Sequence, residues 1–369
     1  MMKTHDGVSS RARGTWSGVM AAGLAVALSA APALAQDKPV AGEVKEGALK
    51  GKTLTFVSYG GIYQDGQIAA LQDFVQKSGV RLLSDGPTEI AKVQAQVESG
   101  NVTWDVVDTA DFPPYVHCGT LFQKLDMSKL DVSHIPKGQV GECSVPAMNY
   151  GVIIMYNKDK YKDNPPKDWK DFFDTAKFPG VRAIDGSGDP VPGLIEQAFI
   201  VDGGDVSKMT PADIGKGIAK IKALGPDTIF WKTGAESQQL AESGEADMIM
   251  MWTGRAMTAA KNGANYAPVW KNWLVVMDQI TIPVGAKDTD AAYALINAYL
   301  GKKAQEVLTE KTSYSPINTE AKPKVDDFTA AYLTNTPERV AQGYQYNMPF
   351  WVKNYAAAGE KWTELMAGN

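Results

Sequence analysis

The sequence predicts a two-lobed α/β protein, and three observations carry that expectation. Short β runs alternate with amphipathic helical stretches, as they do where helices cover a parallel sheet. About 330 residues remain once a leader is set aside, more than one hydrophobic core usually organises. Between residues 111 and 146 the periodicity dissolves into Pro, Gly and Asp before regular structure resumes.

The first region reads strand 54–57, helix 68–76, strand 80–83, helix 90–97 and strand 104–107. Its strands hold Val, Phe, Leu, Thr and Trp, whereas its helical stretches place Ile, Leu, Val and Phe three and four residues apart. Strand character returns at 152–156, the first passage between lobes. The second region carries helices at 192–200 and 211–224, both opened by a proline, which suits the first helical turn. A strand at 248–251, a helix at 255–262 and a strand-like run at 274–282 follow. Helical stretches 290–300 and 302–312 return to the first lobe, a Pro/Lys-rich piece covers 315–324, and helices close the chain near Met366. No internal repeat is visible.

Residues 1–35 read as a secretory signal. Lys3, Arg11 and Arg13 precede an apolar run at 19–28, too short to span a bilayer, and Ala33-Leu34-Ala35 supplies a small-residue cleavage pattern. The mature chain then begins near Gln36, with a mobile polar lead over 36–50. Cleavage moves the formal charge from −5 to −7. An acidic protein of this kind repels nucleic acid and anionic membranes and draws in small cations. Cys118 and Cys143 are the only cysteines. In an oxidising compartment a pair this close in sequence is expected to be bonded.

Catalysis and metal chemistry are poorly supplied. No Gly-x-Ser-x-Gly elbow occurs, and Gly186-Ser187-Gly188 reads as a flexible turn. After cleavage only His117 and His134 remain, without a cysteine partner at zinc-like spacing. No enzyme, cofactor or metal site is therefore expected.

Aromatic and acidic residues beside strand ends are the better signal, because ligands of open α/β sheets sit outside the carboxyl ends of the strands. Ser58-Tyr59-Gly60-Gly61-Ile62-Tyr63 follows the first strand, where paired glycines let backbone approach a ligand. Tyr59 either meets that ligand or packs under the turn. After the third strand, Asp111 either meets an ammonium group or, like Asp108, caps a short helix, and Phe112 can cover methylenes. The run Met250-Met251-Trp252-Thr253-Gly254-Arg255 ends an apolar strand in an indole and a guanidinium. Trp252 can face a cation or pack in the core. Arg255 can clamp a carboxylate or hold the second lobe by a salt bridge. Asp278, inside an apolar run, needs a compensating partner, either a ligand ammonium or an internal Lys or Arg.

Taken in order, Tyr59-Gly-Gly-Ile-Tyr63, Asp105-Val-Val, Gly244-Glu-Ala-Asp247 leading to Trp252-x-Gly, Asp278-x-x-x-Ile282-Pro283 and Tyr314-Ser-Pro-Ile-Asn318 resemble the periplasmic substrate-binding proteins of polyamine-type ABC importers. The resemblance implies a two-lobed periplasmic-binding-protein fold of type II, with crossings near residues 150, 277 and 322. It divides the chain into lobe 1 (51–149 and 277–322) and lobe 2 (150–276 and 323–369). It implies that Trp252 and Tyr314 line the cleft, that Asp278 receives a ligand amine, and that Asp185, Tyr59 and Asn347 lie near it. Where polyamine binders often carry a second tryptophan this chain has Val276, and Arg255 follows the Trp-x-Gly motif. Both differences suit a ligand with an amine at one end and a carboxylate at the other, such as γ-aminobutyrate. Putrescine or spermidine fits if Arg255 faces away. The resemblance further implies a monomeric periplasmic receptor that hands its solute to a membrane permease. A ferric-ion receptor using Tyr344 and Tyr346, a thiamine-like receptor and a secreted hydrolase stand as alternatives.

Overall fold

The computed structural model describes residues 38–186 and 191–368. The leader, and part of the loop after residue 185, lie outside the described residues. Nine strands form one sheet: β1 (Thr53–Val57), β2 (Arg81–Asp85), β3 (Val106–Thr109), β4 (Val145–Asn157), β5 (Arg182–Asp185), β6 (Ile229–Trp231), β7 (Met248–Trp252), β8 (Tyr266–Thr281) and β9 (Tyr344–Gln345). Their order is β2-β1-β3-β8-β4-β7-β5-β6, with β9 on β8. β1 pairs in parallel with β2 and β3, and β5 in parallel with β6 and β7, the expected result of helical crossovers. The long strands β4 and β8 are antiparallel to each other and close both parallel sets.

Two halves of one topology result. From the edge inwards, the first reads β2-β1-β3-β8-β4 and the second β6-β5-β7-β4-β8. β4 buries Val145 and Met148 in a core with Leu54, Phe56, Val106, Ile280, Tyr299 and Leu308. Further along, Val152 and Ile154 enter a second core with Phe172, Ile195, Met250, Leu274 and Trp351. Apolar residues run through β4 because both its faces are covered.

Several elements differ from the sequence reading. The helix expected at 68–76 begins earlier, as Gly61–Ala70, and a second helix follows as Gln72–Ser78. Gly60 and Gly61 have φ of 76° and 60°, which lets the chain turn from β1 directly into the helix. The strand expected at 274–282 starts at Tyr266. Its register against β4 shifts between Val152 and Ile154, and Asn272 at φ 58° absorbs the extra residues as a bulge. Residues 38–50, expected as a mobile lead, lie against the first core: Leu49 is buried, and the Ala41 N–H donates to Asp131 Oδ2 at 3.0 Å. Cys118 and Cys143 are disulfide-bonded and brace the irregular stretch between β3 and β4. No helix of the described residues is long and apolar enough to cross a membrane.

Candidate functional site

β3 and β8 pair with Asp108 opposite Ile280, so Asp108 and Asp278 project from the same face of neighbouring strands. Both are buried, as is Asp111 just past the end of β3. Asp108 Oδ2 accepts from Ser58 Oγ at 2.9 Å and Gln67 Nε2 at 2.7 Å. Asp111 Oδ1 accepts from Gln279 Nε2 at 3.2 Å. Burial pushes the carboxyls of Asp108 and Asp111 up to about 7. Asp278 is raised well above the usual carboxylate range, first by burial and then by the charges of Asp108 and Asp111. No salt bridge among the described residues reaches any of the three. The internal Lys or Arg considered for Asp278 is thus not its partner among the described residues, and around it stand Asp108, Asp111 and the phenols of Tyr59, Tyr63, Tyr150, Tyr299 and Tyr314.

A chain of aromatic rings leads away from these acids. Tyr63, on the helix after β1, meets Tyr314 edge-on with centroids 5.4 Å apart. Tyr314 meets Tyr150 at 5.8 Å, Tyr150 meets Trp252 at 6.2 Å, and Trp252 stands edge-on to Trp231 at 5.5 Å. The chain runs from the first core, through β4, to the end of β7. Gly254 permits the approach, since a Cβ there would lie 2.8 Å from the Tyr314 ring. Burial and the nearby Asp278 push the Tyr314 phenol up to about 12, while the Arg255 guanidinium opposes that rise. Arg255 therefore stands within electrostatic reach of Tyr314, and its guanidinium donates to Gln238 Oε1 at 3.4 Å. It enters no salt bridge among the described residues, so the salt-bridge role weighed for it is not what the structure shows.

The remaining residues singled out in the sequence have assignable places. Tyr59 is partly exposed, and its hydroxyl accepts from the Ala110 N–H at 2.7 Å, tying the loops after β1 and β3 together. Phe112 packs across to the C-terminal segment, 5.0 Å from Tyr346 and 5.4 Å from Tyr355. The helix Pro113–Val116 has no side-chain cap, so Asp111 does not act as one. Asp185, buried at the end of β5, lies within electrostatic range of Tyr346. Asn347 is occupied otherwise: it caps the helix Met348–Ala367 through Phe350 N and donates to Val206 O at 2.6 Å. Tyr344, considered as an iron ligand, donates its hydroxyl to Gly193 O at 3.3 Å. Sequence reasoning missed Tyr150 as a link in the ring chain. No local pattern marks it: Tyr150 shares a face of β4 with Met148, two residues away, which only the folded ladder sets opposite Asp278.

Residues 69–337 match the bacterial extracellular solute-binding protein family, and the chain belongs to that family. Among curated relatives, it is 26% identical over 310 residues to the gamma-aminobutyric acid-binding protein of Pseudomonas aeruginosa, covering 82% of this chain and 87% of that one. It is 26% identical over 267 residues to spermidine/putrescine-binding periplasmic protein 1 of Haemophilus influenzae, covering 68% and 72% respectively. Among solved structures, a GABA receptor superposes with a TM-score of 0.78 at 34% identity, over 86% of this chain and 98% of that one. The fold is that of ABC substrate-binding proteins, and these relatives are receptors for solutes.

Proposed function

We propose that the protein is a periplasmic receptor that closes around a small ω-amino acid of the γ-aminobutyrate type and delivers it to an ABC permease. The observation that carries this reading is the buried trio Asp108, Asp111 and Asp278, which lacks a basic partner among the described residues, at one end of a ring chain whose second ring, Tyr314, feels Arg255. A ligand ammonium replaces the missing cation. The methylenes lie against Tyr150, Tyr314 and Trp252, and a carboxylate reaches Arg255, whose planar fork suits it. The names of the relatives, for gamma-aminobutyric acid and for polyamines, support an amine ligand. The leader at 1–35 and the disulfide support export, and the separation of the two largest core clusters along β4 and β8 supports lobes divided as in the sequence reading. The receptor acts as a monomer, without nucleic acid and without chemistry of its own.

Closure follows from differential affinity: the ligand touches both halves only when they meet, so binding shifts the population towards the closed form. Isothermal titration calorimetry with γ-aminobutyrate, putrescine and spermidine tests the reading. Asp278→Asn should weaken every amine by at least tenfold, about 1.4 kcal/mol. Arg255→Gln should weaken only γ-aminobutyrate by a similar factor. If folded Asp278→Asn binds as the native protein does, the assignment fails. If Arg255→Gln leaves γ-aminobutyrate untouched, the ligand is a diamine.

A further inference from the structure

Two helices pack together beside the Trp252 end of the ring chain. The helix Gly234–Ser243 follows β6, and the helix Thr253–Lys261 follows β7 and carries Arg255 in its first turn. A cation in a first turn meets the positive end of the helix dipole, so its place must be set by what accepts from it. Gly234, buried at the start of its helix, lays bare backbone against both Trp252 and Arg255: a Cβ there would lie 2.7 Å from the indole and 3.1 Å from Arg255 Nε. Gln238 stands four residues on, on the same helix face, and its Oε1 accepts from Arg255 Nη1 at 3.4 Å. This helix therefore sets a glycine beside one end of the guanidinium and a neutral amide beside the other.

The Gln238 amide can point only one way. Its Nε2 donates to Glu242 Oε1 at 2.8 Å, and the same oxygen accepts from Asn262 Nδ2 at 2.8 Å, just past the helix that bears Arg255. A guanidinium offers only donors and an ionised carboxylate only acceptors, so the amide that joins them turns its oxygen to Arg255 and its nitrogen to Glu242. Gln238 and Arg255 are half-buried, whereas Glu242 and Asn262 are exposed. Along this chain of bonds the carboxylate is thus kept one side chain away from the guanidinium. An acid at the place of Gln238 would pair with Arg255 directly and engage its planar fork. An amide of the same length orients the group and leaves its charge uncancelled.

We propose that Gln238 determines ligand specificity as a positioning residue: it aims the Arg255 guanidinium without neutralising it, so that the cleft prefers an amine bearing a carboxylate to a diamine. Gln238 acts through Arg255 and need not touch the ligand. The proposal rests on the reading above, in which Arg255 receives the ligand carboxylate.

Gln238→Glu keeps the shape of the side chain and adds only charge, and Glu242 four residues on repels the new acid towards Arg255. In calorimetry, Gln238→Glu should bind γ-aminobutyrate at least about fivefold more weakly than the native protein, and putrescine as tightly or more tightly. Gln238→Ala frees the guanidinium without adding charge. It should weaken γ-aminobutyrate by about threefold and leave putrescine unchanged. In an Arg255→Gln background, Gln238→Ala should have no further effect on γ-aminobutyrate. A purely structural residue would move both ligands together, so equal weakening of the two in folded Gln238→Glu would overturn the proposal. Native γ-aminobutyrate affinity in that variant would overturn it as well. The reading of Arg255 fails separately, if Arg255→Gln itself leaves γ-aminobutyrate untouched, and the role of Gln238 then falls with it.

Discussion

Asp108 and Asp111 keep their protons up to about pH 7 because burial disfavours the ionised form. An unfolded chain releases the same protons near 3.8. Between those values the folded protein binds more protons than the unfolded one, so its stability falls as pH rises and levels off above about 7. An ammonium reverses the preference, since it binds the ionised trio best. The empty protein should therefore melt at a higher temperature at pH 5 than at pH 8, and γ-aminobutyrate should narrow that gap. Affinity for the amine should rise across the same window with release of protons, which calorimetry in buffers of different ionisation heat would detect. A flat affinity between pH 5 and pH 8 would remove the trio from the binding site. Residue chemistry at this point was only partly legible in the sequence. Asp278 stood out because an acid inside an apolar run requires explanation, whereas the role of Asp108 depends on the pairing of β3 with β8, which no local pattern reports.

At the scale of elements, the C-terminal helix Met348–Ala367 is fixed by its first turn. Glu196 accepts from Asn347 N at 3.0 Å and from the Trp351 indole at 2.6 Å, and the Asn347 side chain caps the helix. Asn347→Ala should cost about 1 kcal/mol of stability and leave amine affinity unchanged, as chemical denaturation and calorimetry would show. Replacing both Cys118 and Cys143 by Ser should cost about 3 to 4 kcal/mol, because the disulfide closes a long loop in the unfolded chain. The helices and parallel strands were legible from apolar spacing. What the sequence hid were features set by long-range pairing: β8 continues back to Tyr266 only because a bulge at Asn272 lets it stay on β4. The place of Asn347 was likewise hidden, since a cap and a ligand contact use the same side chain and differ only in what lies beside it.

Among the described residues four clusters of buried side chains pack on one sheet, and the two largest are the cores of the two halves. β4 and β8 each enter both cores, so neither half has a complete sheet without the other's chain. Differential scanning calorimetry should show one cooperative transition, raised by the amine through mass action. Two well-separated transitions would mean that the halves melt independently.

The position of β8 between β3 and β4 has a consequence in time. A polypeptide that emerges from a ribosome or a secretion pore amino end first offers β1, β2, β3 and β4 long before residues 266–281 arrive to fill the gap. Nothing resembling the finished first half can lock until about three-quarters of the chain is out. Late closure of this kind would suit the export proposed above, because a first half that has not yet locked can still be threaded.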